Sequence, residues 1–107
     1  MSVEEADVID LIGVDKQKGH VVLTISDHLN WQSDEHLLTL QEKLNAYLRF
    51  IESGELFEQY PDAKGLKPQI TVVLKHVPSK KGLEFLNRVS ERIENVGIAF
   101  RYETLPH

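Results

Sequence analysis

The chain of 107 residues contains no cysteine. This absence excludes disulfide bonds, thiolate metal ligands and a cysteine nucleophile, and it fits a reducing compartment. Long apolar runs are also missing, because none approaches the roughly 20 residues that a helix needs to cross a bilayer. The first residues include three acids in place of the basic start and apolar core of a signal peptide. We therefore expect a cytoplasmic protein that does not associate with membranes.

Length and composition are those of an ordinary globular domain. Hydrophobic residues make up 41% of the chain and charged residues 27%, which are usual values for such proteins. A chain of this length buries roughly two-thirds of its unfolded surface, enough for one core. We predict a single domain over residues 1–107.

Acidic and basic residues are unevenly distributed along the chain. Residues 1–62 contain 13 acids and 4 bases, a net charge of −9, whereas residues 63–107 contain 8 bases and 4 acids, a net charge of +4. Independent solvated faces explain such a difference, and so does charge-steered association with another copy or with a basic partner. Nucleic acid is not expected as a partner, because the total charge is −5 and no basic run is interleaved with aromatic residues.

Four segments have the composition of β-strands, namely residues 7–15, 20–26, 69–77 and 98–104. The first two are separated by a short polar segment that ends in Gly19, and glycine can adopt the positive φ of a hairpin loop. These two segments are therefore predicted to form a hairpin.

Two longer segments repeat apolar residues at helical spacing. The first, residues 34–52, follows Ser33 as N-cap and ends before Gly54; the second, residues 80–96, follows Ser79 as N-cap and ends before Gly97. A short helix is predicted over residues 55–60, stopped by Pro61 and followed by a turn.

The predicted fold class is α+β, with the order β-β-α-(α)-β-α-β. A four-stranded mixed sheet with both long helices packed on one face is the simplest way to bury two apolar helical stripes. The last two strands should be parallel and joined by a right-handed crossover, whereas the rest of the strand order stays open.

The helix-free face of this sheet suggests a homodimer. The first two strands carry apolar residues on both sides, for example Val22 beside Val21 and Leu23, whereas a solvent-facing sheet usually alternates more cleanly. A second copy packed on the sheet face or on an edge would cover it. The alternative is that the strands are simply short and central, with a terminus or the short helix covering them.

Candidate site residues concentrate where the second strand runs into the first long helix, in a segment that we call the elbow (residues 27–36). Its polar and aromatic side chains are the candidate binding residues Asp27, His28, Asn30, Trp31, Asp34, Glu35 and His36. Each also has a purely structural explanation. Asp27 and Asn30 can cap turns, His28 can pack beside Trp31, and acids favour the start of a helix.

Catalytic and metal-binding chemistry find little support in these residues. Ser26, Asp27 and His28 have the types of a hydrolase triad, but neighbours on a strand point to opposite faces. His28 and His36 could ligate a metal together with carboxylates, yet no His-Glu-x-x-His motif is present. We expect no catalytic residue, no metal and no cofactor.

Three lysines near the start of the second long helix could bind an anion, since a helix N-terminus offers free N–H groups. They are Lys75, Lys80 and Lys81. The chain has no glycine-rich phosphate loop, so exposed lysines without a ligand are the simpler interpretation.

Residues 21–31 (VVLTISDHLNW), 36–48 (HLLTLQEKLNAYL), 50–55 (FIESGE) and 60–65 (YPDAKG) resemble a family of short bacterial proteins known only as a domain of unknown function. The resemblance spans nearly the whole chain and implies a bacterial, cytosolic protein. It supplies no catalytic residue. Immunity proteins of bacterial toxin systems include similar small α+β folds, which is an analogy at the level of the fold.

Two functions remain open from the sequence. The first is a non-enzymatic protein-interaction module, an immunity-type protein with an acidic partner-binding face being one version. The alternative is a small-ligand or metal-binding protein, or an enzyme, that uses the elbow.

Overall fold

A computed structural model describes residues 11–32 and 34–106. The elements occur in the predicted order, and their bounds are β1 (Leu11–Asp15), β2 (His20–Asp27), α1 (Asp34–Glu52), α2 (Glu55–Gln59), a 3₁₀ turn (Pro61–Ala63), β3 (Lys67–Leu74), α3 (Lys80–Asn95) and β4 (Ala99–Thr104). Residues 7–10 of the predicted first strand and the predicted N-cap Ser33 lie outside the described residues. The α+β class and the element order are confirmed.

The four strands pair in the order β1-β2-β3-β4. The first pair is antiparallel, and the pairs β2–β3 and β3–β4 are parallel. Each parallel step moves one strand along the sheet in the same direction. Right-handed crossovers therefore place α1 and α3 on the same face, which confirms the mixed sheet with two helices on one side.

The core lies between this face of the sheet and the two helices. Strand β2 alternates strictly along its length: Val21, Leu23 and Ile25 are fully buried, and the residues between them are partly exposed. In α1 and α3 the buried residues recur at helical spacing and meet the strands. They include Tyr47 in α1 and Leu86 in α3, both fully buried.

Polar side chains and glycines at the helix ends fix where each helix begins or ends. The Ser79 hydroxyl accepts a hydrogen bond from the Gly82 N–H at 3.1 Å and so caps α3, as predicted. Gly54 and Gly97 follow α1 and α3 with φ of 88° and 83°, values that an L-residue adopts only with strain.

The third strand begins and ends earlier than the predicted range of 69–77. It includes Pro68, which pairs only with β2 because β4 joins at Gln69, and a proline is tolerated where one side of a strand is free. The last bond to β2 is donated by the Lys75 N–H to the Asp27 carbonyl. His76 and Val77 then leave the sheet and form the loop that leads to α3.

The helix-free face of the sheet is more polar than the sequence suggested. In β2 and β3 it carries half-buried valines alternating with threonine and glutamine, and an exposed serine. These residues are Val22, Thr24, Ser26, Gln69, Thr71 and Val73. A face of this composition tolerates water.

Within residues 11–32 and 34–106, every helix is too short or too polar to span a bilayer.

Candidate functional site

The elbow lies at the carboxyl edge of the parallel strands β2 and β3, beside the loop that joins β3 to α3. Two side chains shape its backbone. The Asp27 Oδ1 accepts a hydrogen bond from the Leu29 N–H at 3.1 Å, and the Asn30 Oδ1 accepts one from the Gln32 N–H at 3.0 Å. Both are contacts between residue i and residue i+2, the pattern of Asx turns. The two predicted turn caps are therefore confirmed.

Asp27 and His36 form a buried pair that joins β2 to the first turn of α1. The His36 Nε2 lies 2.5 Å from the Asp27 Oδ2, and the side chains are only 2% and 0% exposed. A carboxylate oxygen accepts, so the imidazole donates from Nε2. The His36 Nδ1 is buried and has no hydrogen-bond partner.

Trp31 packs against the His36 ring of this pair. We call the side of the elbow that carries Asp27, Trp31 and His36 its inner side. The Trp31 ring centroid lies 4.3 Å from that of His36, with the planes tilted by 55°. The helical turn brings position 36 inward to this contact, whereas His28, which the sequence placed beside Trp31, is exposed. The indole Nε1–H donates to the His76 carbonyl at 3.1 Å, which ties the elbow to the β3–α3 loop.

Gly82 in the first turn of α3 makes this packing possible. A Cβ at this position would lie 2.5 Å from the Trp31 Cε3, well inside van der Waals contact. The glycine is buried, and its φ is not in the left-handed region. The backbone conformation therefore does not require a glycine here. The role of Gly82 is therefore close approach of the helix to the indole ring.

The outer side of the elbow carries the remaining predicted residues. His28, Asn30, Asp34 and Glu35 are exposed. The Asp34 Oδ1 lies 2.6 Å from the Lys81 Nζ, and these side chains are 78% and 65% exposed.

This ion pair involves one of the three lysines that the sequence predicted to bind an anion. Lys81 contacts a carboxylate, so its charge is directed to α1. Lys75 is exposed just after β3, and Lys80 is exposed at the first position of α3. The structure brings the acidic and basic halves of the chain together at this edge.

A cleft of about 430 Å³ opens between the elbow and the β3–α3 loop. Its lining residues are Asn30, Trp31, Gln32, His76, Val77 and Ser79. The elbow supplies two side-chain amides to the cleft, and the loop supplies the apolar side chain of Val77, which is 69% exposed. Such a mixture can hydrogen-bond a ligand or a partner side chain and offer it one apolar contact.

The pair of Asp27 and His36 has the residue types of a general base and its orienting carboxylate. Both side chains are buried, however, and the imidazole nitrogen that faces away from the carboxylate is also inaccessible. As folded, the pair positions the elbow and cannot reach a substrate in the cleft. Among residues 11–32 and 34–106, no three histidine, aspartate or glutamate side chains converge as a metal site.

Sequence reasoning missed the roles of two buried helical residues. Gly82 lies four positions before Leu86 on the buried stripe of α3, and that spacing is the signal that could have identified it. Lys43 lies seven positions after His36 in α1 and is fully buried. Its Nζ is 5.5 Å from the centre of the Tyr47 ring, whose hydroxyl donates to the Thr24 carbonyl at 2.9 Å.

The chain belongs to a family of unknown function, DUF6572, whose profile matches residues 1–106. This confirms the resemblance drawn from residues 21–65. No curated protein and no solved structure matches the chain.

Proposed function

We propose that the chain is a non-enzymatic protein-interaction module that presents the outer side of the elbow, with the exposed acids of α1, to a basic partner. One observation carries this proposal. The acid–base pair of the elbow, Asp27 and His36, is buried and out of reach of a substrate, and the groups at the surface are carboxylates, amides, the His28 imidazole and an apolar side chain. Groups of this kind hydrogen-bond and attract a partner of opposite charge.

The hydrogen bonds within residues 27–32 also favour binding. Two Asx turns, the buried pair and the Trp31 indole bond fix the backbone of the elbow from both sides. A preformed loop loses less conformational entropy when a partner docks. The cleft of about 430 Å³ is large enough to receive one anchoring side chain of the partner.

Charge supports a basic partner. The exposed acids of the elbow, α1 and the segment that follows include Asp34, Glu35, Glu42, Glu55, Glu58 and Asp62. Of these, Asp34 is paired with Lys81. An acidic surface of this kind accelerates association with a basic protein and makes binding dependent on salt. An immunity-type protein that masks a basic toxin surface is one concrete version.

Charge reversal on one helix, with a matched reversal elsewhere, tests this proposal. The Glu42→Lys variant changes the exposed face of α1, and Glu94→Lys makes the same change on α3. We expect the immobilised wild-type chain and Glu94→Lys to retain a basic protein from a bacterial lysate at low salt. Glu42→Lys should lose it, and 0.5 M salt should release it because the Debye length falls to about 4 Å.

Equal retention by all three chains, or retention that ignores salt, would contradict an acidic docking surface. Thermal unfolding of each variant serves as the control, because both substitutions are on exposed positions and should leave Tm nearly unchanged.

A second candidate, small-ligand binding, is favoured by the cleft volume, which lies within the range of about 300–1,000 Å³ for ligand pockets. A ligand at about a hundredfold excess over its Kd stabilises the folded chain by about 2.7 kcal/mol. A metabolite that raises Tm in the wild-type chain but not in Asn30→Ala would favour this candidate over the first.

A further inference from the structure

A second concave surface lies between the two long helices, away from the elbow cleft. It is a groove of about 440 Å³ between α1 and α3. Its apolar lining is Leu44, Leu48, Phe85, Val89, Ile93 and Val96. Leu44 and Ile93 are buried beneath it, whereas Val96 is 55% exposed. The groove therefore offers apolar surface to something outside the chain.

The rim of the groove carries opposite charges on its two sides. Glu52 lines it from α1, and Arg88 and Arg92 line it from α3. All three side chains are exposed. Among residues 11–32 and 34–106, no ion pair of Glu52, Arg88 or Arg92 is found.

We propose that this groove is the contact surface for a second copy of the chain. Both helices follow a parallel strand and return to the start of the next one, so they run in the same direction. A two-fold axis along the groove then lays α1 of each copy over α3 of the other. Glu52 comes to face Arg92 of the partner subunit, and the symmetry repeats this contact on the other side.

The mixed sign of the rim favours a second copy over an unrelated acidic or basic helix. A purely acidic partner would meet Glu52, and a purely basic one would meet Arg88 and Arg92. A second copy satisfies both signs at once and arranges the four helices as a packed bundle between two sheets. The helical face is also long enough for an extended contact between two copies, because the 19 residues of α1 extend about 28 Å at 1.5 Å per residue.

The helix-free face of the sheet is the competing surface for a second copy. Its threonine, serine and glutamine side chains hydrogen-bond water readily, and they separate the half-buried Val22 from Val73. The homodimer expected from the sequence is thus assigned here to the helical face.

Charge reversal and its restoration test the interface. The measurement is the solution mass by light scattering, over about 10–200 µM protein. The wild-type chain should approach twice its 12.3 kDa monomer mass with increasing concentration. Glu52→Arg and Arg92→Glu should each weaken dimerisation at least tenfold, and the double variant should restore it. Glu94→Arg, which lies on α3 outside the groove, should dimerise like the wild type.

A wild-type mass of 12.3 kDa at every concentration would overturn the proposal. A dimer that survives both single reversals would also overturn it, and would place the second copy elsewhere on the chain. Circular dichroism shows whether the single variants fold. The double variant serves as a further check, because in the proposed arrangement its charges are complementary again: a folded double variant that stays monomeric would also overturn the proposal.

Discussion

The inner side of the elbow contains the contact between Asp27 and His36, the outer side contains the ion pair between Asp34 and Lys81, and the two contacts differ in environment rather than in distance. On the inner side the His36 Nε2 and the Asp27 Oδ2 are 2.5 Å apart, with both side chains almost fully buried. On the outer side the Lys81 Nζ and the Asp34 Oδ1 are 2.6 Å apart, with both side chains mostly exposed. Solvent therefore decides what each contact contributes.

Water screens the outer pair and solvates either partner when the other is removed, so its loss is nearly neutral. The inner pair has no such alternative. Removing one member leaves the other buried without compensation, which is strongly destabilising even though the intact pair adds little net stability. The buried pair fixes the conformation of the elbow, whereas the exposed pair adds a weak connection between α1 and α3.

The largest effect should come from breaking the inner pair. Asp27→Ala leaves the His36 imidazole without a hydrogen bond and removes the acceptor of the Leu29 N–H. We expect a loss of about 1–3 kcal/mol in the free energy of unfolding for each of these two donors left without an acceptor, measured by urea denaturation. Asp34→Ala is the matched control and should change it by less than about 1 kcal/mol.

Replacing both inner residues by apolar ones sharpens this result. The double variant Asp27→Leu with His36→Phe removes the unpaired polar groups, so it should be clearly more stable than Asp27→Ala. If Asp27→Ala and Asp34→Ala instead destabilise the chain equally, burial is not the deciding difference between the two pairs.

An intermediate loss of stability should follow from a substitution that forces α3 away from the Trp31 ring. Gly82→Ala places a Cβ 2.5 Å from the Trp31 Cε3, and such overpacking costs about 1–3 kcal/mol despite the better helix propensity of alanine. Thermal denaturation should show a lower Tm, together with a change in the fluorescence of the single tryptophan.

Gly13→Ala provides the control for this substitution, because a Cβ at Gly13 meets nothing within 4 Å and its φ is not in the left-handed region. Its Tm should be unchanged or slightly higher. A Gly82→Ala variant as stable as the wild type would show that the indole ring can move, and would argue against a rigid elbow.

The smallest effect should come from the outer pair. Lys81→Ala removes the contact with Asp34 and should lower the free energy of unfolding by at most about 0.5 kcal/mol. In 1 M salt, where the Debye length is about 3 Å, the difference from the wild type should disappear in urea denaturation. A larger, salt-independent loss would mean that the outer pair also fixes the elbow.

Local sequence signals predicted most of the fold. Helix α1 has the bounds predicted from its apolar spacing, and Ser79 caps α3 as its position indicated. The end of β3 was predicted too late, because Pro78 was the first clear stop signal in the sequence, whereas hydrogen bonding to β2 ends at Lys75. Composition indicates which segments can form a strand, and hydrogen bonding to the neighbouring strand determines where that strand ends.

The candidate site could be located but not interpreted from the sequence. The elbow residues were identified as a group, and Asp27 and Asn30 form the predicted turns. Their division into an inner and an outer side was not visible. Asp27 and His36 are nine positions apart, and only the geometry of the turn brings one to face the other. The indole acceptor, the His76 carbonyl, lies on a different loop.

The sequence by itself determined the elements, their order, the faces that they bury and the family to which the chain belongs. These features depend on interactions between residues close in the chain, whose spacing is legible in the sequence. The tertiary structure alone decided the strand order, the burial of one ion pair and the exposure of the other, and the close approach of Gly82 to Trp31. Each of these depends on which distant segments pack together, and burial, which sets the strength of a charge pair, exists only after they do.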